Sequence, residues 1–284
     1  MGAYCLYGTY CCHRYGRTAS EHFLKGEGKM RIVIKLGTST LAHTTGRLNI
    51  RRIEHLCRVM SDLKNSGHEI ILVSSGAIGM GAGKLGLGSR PDDIAAKQAA
   101  AAVGQCELMY IYDKLFTEYN HTVGQILITG LDIENEERRS NFENTLYKLL
   151  EFGALPIINE NDTVSTDEIE IGDNDTLSAI VASSIGADLL IVLSDINGLY
   201  NKNPKTCPDA ELIEVVKEIT PEITALSDGK GVLGTGGMAT KIKAAELATK
   251  SGCDMVIANG AEPELLYDIV EGKPVGTRFL KRDE

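Results

Sequence analysis

"RIVIKLGTST", residues 31–40, sets four apolar side chains and one lysine in a six-residue run, then a glycine and three hydroxyls. A run this short and apolar, closed by glycine, reads as a buried strand ending on a polar loop. The pattern recurs in "EIILVS" (69–74), "TVGQILIT" (122–129), "LPIIN" (155–159), "DLLIVLS" (188–194) and "DMVIAN" (254–259). Helical stretches lie between and after these runs, near 50–66, 92–118, 138–152, 176–185, 239–251 and 263–271. Strands alternating with helices imply parallel pairing, right-handed crossovers and helices on both faces of the sheet. The expected fold is therefore α/β, a three-layer αβα sandwich around a mainly parallel open sheet.

Composition narrows the function. The 284 residues are 43% hydrophobic and carry a formal net charge of −10, enough apolar content for a large core. Proteins that grip phosphate backbones or anionic membranes by charge are usually basic, so neither nucleic acid nor membrane is an expected partner. No apolar run approaches the roughly 18 residues of a membrane span. Seven cysteines at 5, 11, 12, 57, 106, 207 and 253 form no CxxC pair. Neither a zinc knuckle nor a disulfide framework is supported, and a reducing cytoplasm is the simplest location. Cys57 and Cys106 fall in apolar helical patterns and are expected in the core. Residues 1–29 are basic, nearly free of acids and without periodicity. They read as an added leader, a natural extension or a weak transit peptide, expected to be disordered.

In such a sheet the ligand crevice lies beyond the carboxyl ends of the strands. "KLGTST" (35–40), "VSSGAIGMG" (73–81), the acidic stretch "IINENDTVSTDEIEIGDNDTLS" (157–178) and "LSDINGLY" (193–200) all follow strand ends and so share one rim. Lys35, late in an apolar strand, needs an anion nearby or must snorkel outward, and Gly37 lets backbone approach a phosphate closely. In "GVLGTGGMATKIKAAELA" (231–248), N–H groups of Gly236, Gly237 and Met238 can point at an anion ahead of a helix. Lys241 in that first turn opposes the helix dipole unless a negative ligand sits there; a plain loop with a surface lysine is the alternative. "GMGAGKLG" (79–86) is not a Walker A loop, since Leu85 replaces the hydroxyl after Lys84, and "GAGKLG" (81–86) lies too far from its strand for a dinucleotide fingerprint. The acidic stretch crowds Asn159, Glu160, Asn161, Asp162, Asp173, Asn174 and Asp175 before a helix expected from about Thr176. A solvated polar loop would account for it; so would a ligand.

Together "VIKLGTS" (33–39), "VSSGAIGMG" (73–81), "INENDTV" (158–164), "GDNDTLSA" (172–179), "LSDINGLY" (193–200) and "GTGGMATK" (234–241) resemble the amino acid kinase family over essentially 31–280. The resemblance implies one kinase domain over 30–284; the sequence departs from the many bacterial glutamate-phosphorylating members with an extra C-terminal PUA domain, since it ends with "VGTRFLKRDE", and no such domain is expected here. "NEND" with "GDND" points to members that use ATP and Mg2+ to phosphorylate the γ-carboxylate of L-glutamate, the first step toward proline. Lys35 and Lys241 would then act on the transferring phosphoryl group, with Asp175 orienting them. Ser75, Gly76, Ala77, Asp162 and Asn174 would bind glutamate, Asp162 meeting its α-ammonium. Lys35, Gly37, Ser194, Asp195, Thr235, Gly236, Gly237, Met238, Ala239, Thr240 and Lys241 match nucleotide-binding positions, with no direct protein metal ligand assigned. The family also implies a homo-oligomer inhibited by proline at the glutamate pocket. A sibling acting on another carboxylate, a carbamate or a phosphate ester is the alternative, and a non-catalytic sensor would require loss of the two lysines.

Overall fold

A computed structural model describes residues 28–43, 47–164, 173–204, 206–226 and 237–282. The expected leader thus lies outside the described residues except for Gly28 and Lys29. Elements follow in the order β1 (Arg31–Leu36), α1 (Thr38–Leu41), α2 (Ile50–Asn65), β2 (Glu69–Val73), α3 (Ala77–Leu85), α4 (Ile94–Thr117), β3 (Val123–Ile128), α5 (Gly130–Glu134) and α6 (Glu136–Glu151). The chain continues through β4 (Leu155–Glu160), α7 (Asn174–Ser184), β5 (Leu189–Ser194), β6 (Val215–Val216), α8 (Pro221–Ala225), α9 (Met238–Lys250), β7 (Asp254–Asn259), α10 (Leu265–Val270) and β8 (Thr277–Phe279).

The strands form one sheet in the order β3-β4-β2-β1-β5-β7-β8-β6. Every neighbouring pair is parallel except β7 with β8. From β1 the chain runs first to β2 on one side and later reaches β5 on the other, so β1 and β5 flank a topological switch point. The alternation of side chains along β1 divides the core. Ile32, Ile34 and Leu36 pack with α2, α4 and α10, whereas Val33 packs with α6, α7 and α9. Lys35 shares the parity of Val33, so it emerges on the side of α7 and α9.

Side-chain caps set several helix starts, as the Asn49, Asp93, Asn135 and Asp173 oxygens each accept from a backbone N–H three residues on. The Asp173 cap starts α7 at Asn174, two residues before the expected Thr176. The stretch holding both failed glycine motifs proves to be α3. Glycines at 79, 81 and 83 lower its intrinsic helix propensity, yet close packing on α4 calls for two of the glycines in this pair of helices. A Cβ on Gly81 would stand 1.7 Å from the Ala100 carbonyl oxygen, and one on Gly104 would stand 1.8 Å from that of Ala77. Gly104→Ala should therefore force the two helices apart and lower stability by about 1–3 kcal/mol. An unchanged midpoint of thermal unfolding would contradict this packing.

Cys57 is buried as expected, but Cys106 is exposed, because the helical register of α4 turns it outward beside buried Gln105. Among the described residues no helix is long and apolar enough to cross a membrane.

Candidate active site

The carboxyl ends of β1, β2, β4 and β5 lie side by side, with Lys35 in register with Val73 and Val192. From this rim Lys35 reaches across to α7, where its Nζ lies 2.6 Å from Asp175 Oδ1. Lys241, in the first turn of α9, brings its Nζ to 3.1 Å from Asp175 Oδ2. Thr240 Oγ1 donates to the same oxygen at 3.1 Å. All three charged groups are buried. Burial alone would raise the Asp175 carboxyl, but the ammonium groups of Lys35 and Lys241 outweigh it and hold the carboxyl below its ordinary range. The first turn of α7 adds a favourable helix dipole. Two buried cations thus converge on one carboxylate at this rim, a setting that suits an incoming anion.

The crowding of acids and amides after β4 separates into distinct tasks. Asp173 caps α7, accepting from Thr176 N–H at 2.8 Å, and Asp175 pairs with the lysines. Asn174 Nδ2 donates toward three acceptors: the Ser74 carbonyl at 2.5 Å, Ser75 Oγ at 2.9 Å and Asn159 Oδ1 at 2.9 Å. Asn159 and Glu160 are buried at the end of β4, so a merely solvated loop does not describe them. Asp162 is half-buried in the turn over 161–164, which the Asn161 amide anchors by donating to Ile128 O at 2.9 Å. The following residues, 165–172, lie outside the described ones.

Gly76 caps α3 with φ of 92°, a left-handed conformation that favours glycine. Ser75, Gly76 and Ala77 thus lead into a helix whose first N–H groups have no intrahelical acceptor. A cavity of about 290 Å³ opens beside them, lined by residues that include Thr38, Ser39, Gly76 and Gly79. On the β5 side, Gly37 N–H donates to Leu193 O at 3.4 Å, and Ser194 Oγ donates to Asp195 Oδ1 at 3.2 Å. Gly237 is the N-cap of α9, whose first turn holds Met238, Ala239, Thr240 and Lys241. Thr235 and Gly236 lie outside the described residues. The structure therefore brings Asp175 together with Lys35 and Lys241, and Asn174 together with Ser75. For Asp162, Ser194 and Asp195 it gives a place on or beside the same rim.

Two participants carried no motif in the sequence. Gln105 on α4 accepts from Asn159 Nδ2 at 2.9 Å, and Tyr112 on the same helix shares a 2.8 Å hydrogen bond with Ser74. Burial pushes the Tyr112 phenol up, so it meets Ser74 as a neutral hydroxyl. A polar residue on the buried side of an alanine-rich helix is the one signal that could have marked Gln105. Among the described residues no three His, Cys, Asp or Glu side chains form a metal-sized group.

Residues 30–259 match the model of the amino acid kinase family. The chain is 53% identical over 257 residues to a glutamate 5-kinase of Clostridium perfringens, covering 89% of this chain and 96% of that one. It is 56% identical over 249 residues to a glutamate 5-kinase of Clostridium tetani, covering 87% and 93%. Among solved structures it is similar to a carbamate kinase from Giardia lamblia bound to AMP-PNP, with a TM-score of 0.63, 16% identity and coverage of 89% and 99%. An isopentenyl phosphate kinase gives a TM-score of 0.60 at 18% identity, covering 88% and 99%. At such identities the structural likeness speaks to the fold alone.

Proposed function

The chain belongs to the amino acid kinase family, and we propose that within it this protein passes the γ-phosphoryl group of ATP to the γ-carboxylate of L-glutamate. The products are ADP and γ-glutamyl phosphate, the first intermediate toward proline. The observation that carries the reading is Asp175 held between two buried lysines at the carboxyl ends of the strands. Support for glutamate as the acceptor comes from the glutamate 5-kinases that are more than half identical to this chain.

A γ-carboxylate is already ionised at neutral pH, so the attacking group needs no general base. Transfer calls instead for positioning and for relief of the charge on the phosphoryl oxygens. Lys35 and Lys241 supply fixed positive charge, and Asp175 keeps both ammonium groups aimed. The N-terminus of α9, from Gly237 and Met238, offers N–H donors to phosphate, and Ser194 and Asp195 border the nucleotide beside Gly37. When bound with ATP, Mg2+ offsets further phosphate charge. On the other side of the rim, Ser75, Asn174 and the N–H groups at Gly76 and Ala77 hold glutamate, and Asp162 meets its α-ammonium. The same resemblance supports a kinase domain over 30–284, assembly into a homo-oligomer and inhibition by proline at the glutamate pocket, and the cysteine usage supports a cytoplasmic location. ADP release with L-glutamate, carbamate or phosphate esters as acceptor tests the assignment; glutamate must be the preferred one.

Asp162→Asn keeps the shape of the side chain but removes the charge that pairs with the ammonium. A charge-assisted bond of this kind contributes about 1.5–3 kcal/mol, so the KM for glutamate should rise about 10- to 100-fold with the KM for ATP nearly unchanged. Glutarate, which lacks the ammonium, should be a poor acceptor for both proteins. Weakened ATP binding with intact glutamate binding would place Asp162 in the nucleotide site instead.

A further inference from the structure

We infer that Gln105, on the far side of β4 from the lysines, is a positioning residue for glutamate that acts through Asn159 to support the orientation of the Asn174 amide set by the Ser74 carbonyl. The inference rests on the reading that Asn174 contacts glutamate. A primary amide has a donor end and an acceptor end of nearly the same shape, so its surroundings alone decide which end points where. Gln105 Oε1 accepts from Asn159 Nδ2 at 2.9 Å. That bond turns Asn159 Oδ1 the other way, where it accepts from Glu160 N–H and from Asn174 Nδ2, both at 2.9 Å. Ser74 O and Ser75 Oγ lie on the same nitrogen of Asn174. The described polar partners of the Asn174 side chain therefore gather at Nδ2, and its Oδ1 accepts no hydrogen bond from them.

An oxygen kept open in this way suits a ligand that brings only donors. The α-ammonium of an amino acid is such a group, with three N–H donors and no acceptor. If Asn159 turned over, its NH2 would face the Glu160 N–H and the NH2 of Asn174, and Asn174 would lose one of its acceptors and with it part of its firm placement. The Glu160 N–H and Gln105 Oε1, at the two ends of the Asn159 amide, together oppose this turn. At the neighbouring Gly104, α4 meets the start of α3 without room for a side chain. Gln105 is buried, and a buried amide is retained only where its polar atoms are used.

The test combines three variants with steady-state kinetics at saturating ATP. Gln105→Met keeps the length of the side chain but offers Asn159 no comparable acceptor, and should raise the KM for glutamate about tenfold with little change in kcat or in the KM for ATP. Gln105→Glu retains an acceptor for Asn159 Nδ2 and should keep the KM for glutamate within about threefold of the parent. Asn174→Ala removes the end of the relay; added to it, Gln105→Met should raise the KM by less than about twofold more, because coupled residues are not additive. Additive effects, a normal KM in Gln105→Met, or equal impairment by Met and Glu would overturn the positioning role, as would a fall in kcat together with loss of ATP affinity. A normal glutamate KM in Asn174→Ala would instead overturn the reading of the site on which the inference rests.

Discussion

Asp175→Asn will cost about 3–5 kcal/mol of folding stability, the usual effect of removing one partner from a buried ionic cluster. Asn fills the same space but removes the carboxylate that the parent holds 2.6 and 3.1 Å from the buried Lys35 and Lys241 ammonium groups. The midpoint of thermal unfolding should fall by an amount on the order of 10 °C. The pH dependence follows from the sign of the shift. Because the folded state depresses the Asp175 carboxyl below its ordinary 3.8, the stability it contributes is present above that value and is lost as pH falls through the lower, folded value. The gap between parent and mutant should therefore be full at neutral pH and narrow only in strong acid. Equal melting temperatures at pH 7 would mean that the two lysines do not depend on Asp175.

The second large effect falls on rate. Lys241→Met removes a cation that acts on charge developing in the transition state, while Lys35 and Asp175 still form one ion pair. Losing a single such donor costs about 2.7–4 kcal/mol, or 10²- to 10³-fold in kcat. The KM for glutamate should change far less, because the interaction is made chiefly in the transition state. Circular dichroism should report a folded protein. A mutant with near-normal kcat would remove Lys241 from the chemistry.

The main strands were legible because each is a short apolar run closed by a polar loop, and β7 begins and ends where "DMVIAN" does. What escaped was decided by contacts distant in the chain. α3 looks like a glycine loop until Ala100 and Gly104 of α4 are set against it. The antiparallel β8 is three residues long and pairs with β7 and β6, a partnership that no local pattern announces. At the site, Lys35 stood out as a charge in an apolar strand and Lys241 as a cation in a helix first turn. Their meeting on Asp175 joins residues 35, 175 and 241, and only family motifs linked them in the sequence. Gln105 had no motif, because its importance lies in one hydrogen bond to a strand 54 residues later.

Transfer of a phosphoryl group to a carboxylate creates an acyl phosphate, which reacts with hydroxylamine. Incubating the purified protein with ATP, Mg2+, L-glutamate and hydroxylamine should yield γ-glutamyl hydroxamate in step with ADP, and neither product should accumulate without glutamate. ADP formed at the same rate in the absence of glutamate, or formed with glutamate but without hydroxamate, would contradict the claim.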